Sequence, residues 1–148
     1  MDNCITMIKY QGLGNDYLVL DPNKNRVQLQ GKKIALLCQR GFGLGADGIL
    51  YGPIEIDGKM GVRIFNSDGS EAAISGNGVR IFAKYLKDAS YVQKKNFKLY
   101  TGNGPVEVTF LNEDGTYDIY LYGEYLETVT SLKYYDSSLP IYTRNNSN

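Results

Sequence analysis

The segment VRIFAKYLK, Val79 to Lys87, limits what this chain can fold into more than any other. Val79, Ile81, Phe82, Ala83, Tyr85 and Leu86 recur at helical spacing but cover most of the circumference, so a helix here has no broad face to give to water. It has to be enclosed on several sides. In a chain of 148 residues the enclosing surface must come from the segments on either side of it.

Those segments read mostly as strands. ITMIKY (5–10) and YLVLD (17–21) are short apolar runs broken by the glycine turn QGLGN, which predicts a hairpin. DGILYG (47–52) and KMGVRIFN (59–66) are strands joined through PIEIDG, whose Asp57-Gly58 pair signals a tight turn. After the central helix come NFKLYT (96–101), PVEVTFL (105–111), TYDIYLYG and EYLETVTSLKYY. The chain's thirteen tyrosines concentrate there, as expected of half-buried strand faces.

A second helix is predicted over GKKIALLCQRG (31–41), with Ile34, Leu37 and Cys38 on one face and Gly41 placed for the C-terminal cap. Cys38 belongs to that apolar face and reads as a core thiol. The sum is one α+β domain over 1–148: a mainly antiparallel sheet of about six to eight strands, curled around one central helix.

Composition removes several classes of function. Sixteen basic residues balance sixteen acidic ones with no long run of one sign, so neither nucleic acid nor an anionic membrane is an expected partner. No apolar run approaches the about 18 residues that span a bilayer, and MDNCITMIKY lacks the layout of a signal peptide, which points to the cytoplasm. In that compartment Cys4 and Cys38 are expected as free thiols. With no histidine in the chain, a Ser/His/Asp triad, a Cys/His pair and a histidine-ligated zinc are excluded, and metal-free, cofactor-free chemistry is expected.

What remains is a set of glycine turns with side-chain amides beside them: QGLGND (11–16), GFGLGADG (41–48) and SDGSEAAISGNG (67–78). If the third opens a helix between Gly76 and Val79, the free N–H groups of its first turn and the positive end of its dipole suit a carboxylate or phosphate. Asn15, Asn66 and Asn77 could each donate and accept, which suits a zwitterionic amino acid. Gly, Asn and Asp are also the commonest turn formers, and plain turn chemistry accounts for the same pattern. Ser75, where loop meets helix, reads as an ordinary N-cap.

GLGND (12–16), RGFGLGADGIL (40–50), RIFNSDGSEAAISGNGVR (63–80) and FAKYL (82–86) together resemble diaminopimelate epimerase and its relatives, amino-acid racemases that work without pyridoxal phosphate. The resemblance spans about positions 6 to 110, with four motifs in the family's order. It implies a fold of two similar halves, each a curled sheet around a central helix, with the site between them. Two thiols, one from each half, would flank the substrate's α-carbon, one removing the proton and the other returning one to the opposite face.

Carried onto this sequence, the resemblance implies amino-acid binding by Asn15, Asn66, Gly76 and Asn77, with Gly48 near a further polar contact. Ser75 stands where the family places the catalytic thiol of the first half. Asp68 and Glu71 are the acids nearest to it in sequence. Residues 116–135 loosely resemble the strands that close the first domain, and the family's second domain is expected to be missing from 148 residues. Two readings follow from this: an epimerase with Ser75 in place of a thiol, or a non-catalytic amino-acid-binding domain. Either could form a homodimer or work with a partner that supplies a second domain.

Overall fold

Tyr17 to Leu20 show how the sheet is built. Tyr17 and Val19 join one buried cluster while Leu18 and Leu20 join another, the alternation that follows from successive side chains of a strand pointing to opposite faces. An unbroken apolar run is what a strand covered on both faces requires. The computed structural model describes residues 5–12, 14–110, 117–121 and 124–126.

The chain runs β1 (Met7–Gly12), β2 (Asn15–Leu20), α1 (Gly31–Cys38), β3 (Gly48–Ile56), β4 (Lys59–Asn66), β5 (Glu71–Ala72), α2 (Gly76–Asp88), β6 (Asn96–Thr101), β7 (Gly104–Phe110), β8 (Tyr117–Leu121) and β9 (Glu124–Leu126). The strands form one sheet in the order β1-β2-β3-β4-β6-β7-β8-β9, with β5 paired to β4. The hairpin expected at Asp57-Gly58 is present, with both residues at positive φ, 51° and 77°. The expected β1–β2 hairpin forms as well, pairing Met7 with Leu20 and Gly12 with Asn15.

The sheet is α+β in class and mainly antiparallel, as expected, but β2–β3 and β4–β6 pair in parallel. Parallel neighbours need a crossover, and α1 and α2 lie in those two connections. The helices take opposite faces: Ile34 and Cys38 of α1 pack with Met7, Leu18, Leu20, Ile49 and Phe65, whereas α2 packs with Tyr10, Val19, Leu50, Val62 and Ile64. Every residue from Gly78 to Leu86 is buried. Since α2 touches β1, β2 and β3 but also β8, near the other end of the strand order, the sheet curls round it.

Some boundaries differ from expectation. Helix α1 stops at Cys38 rather than at Gly41, because the chain turns extended at Gln39 and folds back so that Leu44 N–H donates to Leu37 O and Ala46 N–H to Cys38 O. Helix α2 begins at Gly76, three residues before the apolar run, because Ser75 caps it. Among the described residues nine strands form instead of six to eight. The two-residue β5 is too short to leave a periodic signal, whereas β9 falls at the start of the expected strand EYLETVTSLKYY. The tyrosine side chains of the C-terminal segment and residues 127–148 lie outside the described residues.

Candidate functional site

Stepping back two residues along each strand from Val19, Leu50 and Ile64, on the α2 face of the sheet, leads to Tyr17, Gly48 and, forward along the antiparallel β4, Asn66. These three are register partners, Tyr17 with Gly48 and Gly48 with Asn66. One further step along β2 leads to Asn15 on the same face. Helix α2 starts over this end of the sheet, so strand alternation alone brings Asn15, Gly48 and Asn66 to the end where Ser75, Gly76 and Asn77 stand.

The helix start is fixed by short contacts. Ser75 has extended backbone, φ −147° and ψ 121°, and its Oγ accepts from Gly78 N–H at 3.0 Å while its carbonyl accepts from Val79 N–H at 2.9 Å. This is the N-cap arrangement expected of the residue. The hydroxyl of Tyr17 lies 3.1 Å from the same Oγ and joins helix to sheet. Among the described residues the backbone N–H groups of Gly76 and Asn77 have no acceptor, and a side chain at Gly76 would meet no atom within 4 Å. Two free amides at the positive end of a 13-residue helix, next to open space, suit an anion.

The side-chain amides are linked. Asn77 Nδ2 donates to Asn15 Oδ1 at 2.6 Å, Asn15 Nδ2 donates to Asp47 Oδ2 at 3.2 Å, and Arg80 Nη1 donates to Asn77 Oδ1 at 2.8 Å. Asn66 stands apart from this group. Its amide donates to Ser70 Oγ at 3.0 Å within the β4–β5 turn, and no hydrogen bond joins it to Asn15, Ser75 or Asn77 among the described residues. Gly48 is buried, and a Cβ there would lie 2.2 Å from Phe65 O and 2.8 Å from the Tyr17 ring. Glycine lets the ring that holds Ser75 lie against β3.

Neither acid near Ser75 in sequence bonds to it. Asp68 accepts from Ser70 N–H and Oγ–H at 2.9 and 2.5 Å. Glu71 pairs with Arg63 at 2.7 and 3.0 Å, and those hydrogen bonds hold its carboxyl below the usual range. Ser75 therefore has a hydroxyl and a backbone amide as partners, and no carboxylate or lysine among the described residues.

Behind Asn15 lies a charged cluster. Asp16 takes both Arg40 Nη atoms at 2.8 and 3.1 Å and Lys9 Nζ at 3.2 Å, and its backbone N–H donates to Asp47 Oδ2 at 3.0 Å. Burial alone would raise the Asp16 pKa; the hydrogen bond from Arg40 and the charge of Lys9 outweigh it and hold the carboxyl at about 2. Cys38 behaves in the opposite way. Burial, then the negative charges of Asp16 and Asp47, push its thiol up to about 11, as fits a core residue. No group of three or more His, Cys, Asp or Glu among the described residues could hold a metal ion. A separate open cleft of about 520 Å³, lined by Pro22, Pro53, Glu55 and Lys59 among others, shares no residue with the Ser75 group.

Sequence reasoning missed Tyr17, Asp47 and Arg80. Arg80 left a usable signal, since a charged residue inside a helix that is apolar all round must find a partner. Tyr17 and Asp47 left none, one lying in an apolar strand and the other in a glycine turn.

The family model of diaminopimelate epimerase matches residues 7–126. The chain belongs to the diaminopimelate epimerase family. Diaminopimelate epimerase 2 of Nostoc sp. is 50% identical over 100 residues, which make up 67% of this chain and 35% of that protein. The diaminopimelate epimerase of Methanothermobacter thermautotrophicus is 40% identical over 115 residues, 75% of this chain and 40% of the relative. The chain thus spans well under half the length of these curated relatives.

Among solved structures, a probable proline racemase from Agrobacterium radiobacter superposes with a TM-score of 0.61 at 14% identity, over 78% of this chain and 41% of that one. A putative phenazine biosynthesis PhzC/PhzF protein from Clostridium difficile gives 0.59 at 20% identity, over 78% and 43%. At such identities the likeness is one of fold. The diaminopimelate epimerase family is one of isomerases, and the fold of this chain is that of its half-size domain.

Proposed function

We propose that this chain carries one half of a diaminopimelate-epimerase-type site, in which the start of α2 and the Asn15–Asn77 pair receive the carboxylate of an amino acid and Ser75 stands at its α-carbon. The carrying observation is the start of α2 itself. Two N–H groups without acceptors, a linked pair of amides and open space at Gly76 meet around one capped helix end. Removing an α-proton sends electron density toward the carboxylate, so donors fixed there stabilise the charge as it develops.

Ser75 occupies the position of the proton-transferring thiol, but a hydroxyl needs an adjacent base to act, and its partners here are Tyr17 and the Gly78 amide. The chain binds and orients the amino acid and is a poor proton-transfer catalyst. The alternative is a complete epimerase assembled with a second domain or a second copy, which the greater length of the relatives favours.

Diaminopimelate and a panel of L-amino acids, titrated into the ¹⁵N-labelled protein in ordinary water and incubated with the protein in deuterated water, test both by NMR. Titration is expected to move the backbone amide signals of Gly76 and Asn77, with α-proton exchange at the rate of a no-protein control. Ser75→Cys is expected to raise exchange by about 10²-fold or more, a thiolate taking the proton and returning deuterium to the same face. No movement at Gly76 and Asn77 with any amino acid would sink the reading, and rapid exchange by the unaltered chain would favour the alternative.

A further inference from the structure

We propose that Asp47 is a positioning residue: it fixes which way the Asn15 amide faces, and through Asn15 the Asn77 amide, so that both offer N–H donors to an incoming carboxylate. The inference rests on the carboxylate-binding role proposed above and adds what sets its selectivity.

A side-chain amide is nearly symmetric in shape, and only its neighbours decide which end donates. Asp47 Oδ2 accepts from Asn15 Nδ2 at 3.2 Å and from the Asp16 backbone N–H at 3.0 Å, while Oδ1 accepts from Arg40 Nη2 at 3.2 Å. A carboxylate has no proton to give, so Asn15 must turn its Nδ2 toward Asp47. Its Oδ1 is then left for Asn77 Nδ2, at 2.6 Å.

At the far end stands a group of the opposite kind. Arg80 Nη1 donates to Asn77 Oδ1 at 2.8 Å, and a guanidinium can only donate. The two amides therefore lie in a row between an obligate acceptor and an obligate donor, and turning either one over would set N–H against N–H or oxygen against oxygen. Such a mismatch leaves polar groups unsatisfied, at a cost of about 1–3 kcal/mol each.

The fixed direction has a chemical result. Each Oδ1 already holds a donor, whereas Asn15 and Asn77 each keep one side-chain N–H without an acceptor among the described residues. With the backbone amides of Gly76 and Asn77, the site presents four N–H groups. A carboxylate fits that set and an ammonium does not. Free to turn, the same amides would suit either end of an amino acid; held by Asp47 and Arg80, they choose the acid end.

The test uses side-chain amide signals of the ligand-free, ¹⁵N-labelled protein together with amino-acid titration. Asp47→Ala is expected to shift or broaden the side-chain NH₂ signals of Asn77 as well as those of Asn15, although residue 47 has no hydrogen bond to Asn77. It is also expected to weaken amino-acid binding by about tenfold and to narrow the preference for an amino acid over its primary amide. Asp47→Glu, which keeps an obligate acceptor, is expected to restore part of both. A role confined to holding the 40–47 loop would leave the Asn77 NH₂ signals in place, and that result in a folded Asp47→Ala protein overturns the inference. Should Asp47→Ala not fold, Asp47→Asn, which keeps the shape of the side chain but can turn a donor toward Asn15, carries the same test on Asn77. An unaltered protein that binds no amino acid would refute the proposed function alone, since the Asn77 signals still decide the positioning role.

Discussion

Burial beside the carboxylates of Asp16 and Asp47 pushes the Cys38 thiol up to about 11, so at neutral pH it carries almost no thiolate. A thiol reagent attacks the thiolate, and it also has to reach the sulfur, which is 3% exposed. In a Cys4→Ser background, Cys38 is expected to stay unlabelled by a disulfide reagent at pH 8 over a time in which a free thiol reacts fully, and to label at once in denaturant. Rapid labelling of the native protein would contradict this. The contrast with Ser75 is instructive, because the chain keeps a thiol where it is inert and a hydroxyl where the family resemblance places a reactive thiol. The core place of Cys38 was legible from its apolar helix face, and the N-cap role of Ser75 from the turn that precedes the apolar run. The direction of the Asn15 and Asn77 amides was not legible, because it depends on partners 32 and 62 positions apart meeting in space.

At the scale of elements, the β1–β2 hairpin is tied to the loop after α1 through one carboxylate. Lys9 of β1, Arg40 of the loop and the Asp47 backbone N–H all converge on Asp16 of β2. Its carboxyl sits at about 2 when folded, against an ordinary value near 3.9 in an open chain. The unfolded state therefore binds the proton more readily, so the contribution of Asp16 to stability is fully present above about pH 4 and is lost as pH falls through 4 toward 2. Urea unfolding at pH 5, 4 and 3 is expected to show decreasing midpoints, and the Asp16 carboxyl carbon to titrate well below an ordinary aspartate by NMR. A midpoint near the ordinary value would show that Lys9 and Arg40 do not act on it as described. The strands making these contacts could be read from apolar runs and turn pairs. Their parallel joins could not: periodicity says that a segment is a strand and which residues share a face, but it does not name the neighbour. The single pair Gly61–Tyr100 that joins β4 to β6 depends on where α2 returns the chain.

Across the whole molecule, α2 is held at both ends to the β1–β2 hairpin and the residue that follows it, and the two attachments are of different kinds. At its start Ser75 meets Tyr17 and Asn77 meets Asn15, where a ligand would bind. Toward its end the hydroxyls of Tyr85 and of Tyr91, just beyond the helix, donate to Asp21 Oδ2 at 2.5 and 2.7 Å, and Tyr10 OH donates to Asp88 Oδ2 at 2.9 Å. Asp21 is 3% exposed and also accepts from Asn23 N–H. Asp21→Ala strands the buried Tyr85 phenol, while the exposed Tyr91 hydroxyl can turn to water, and is expected to cost about 1–3 kcal/mol. Asp21 follows the last residue of β2 and Asn15 is the first, so about 20 Å of strand separates this anchor from the candidate site. Between them runs a helix whose residues Gly78 to Leu86 are all buried in one core with strands on several sides, and such a core opens as a unit. Amide exchange of Asp21→Ala under native conditions is therefore expected to show the same loss of protection at Val79, beside the site, as at Leu86, beside the substitution, and at Leu50 in the middle of the sheet. If protection falls only around Leu86 and Tyr91, the two ends of α2 open separately, and the geometry at Ser75 does not depend on the core that carries it.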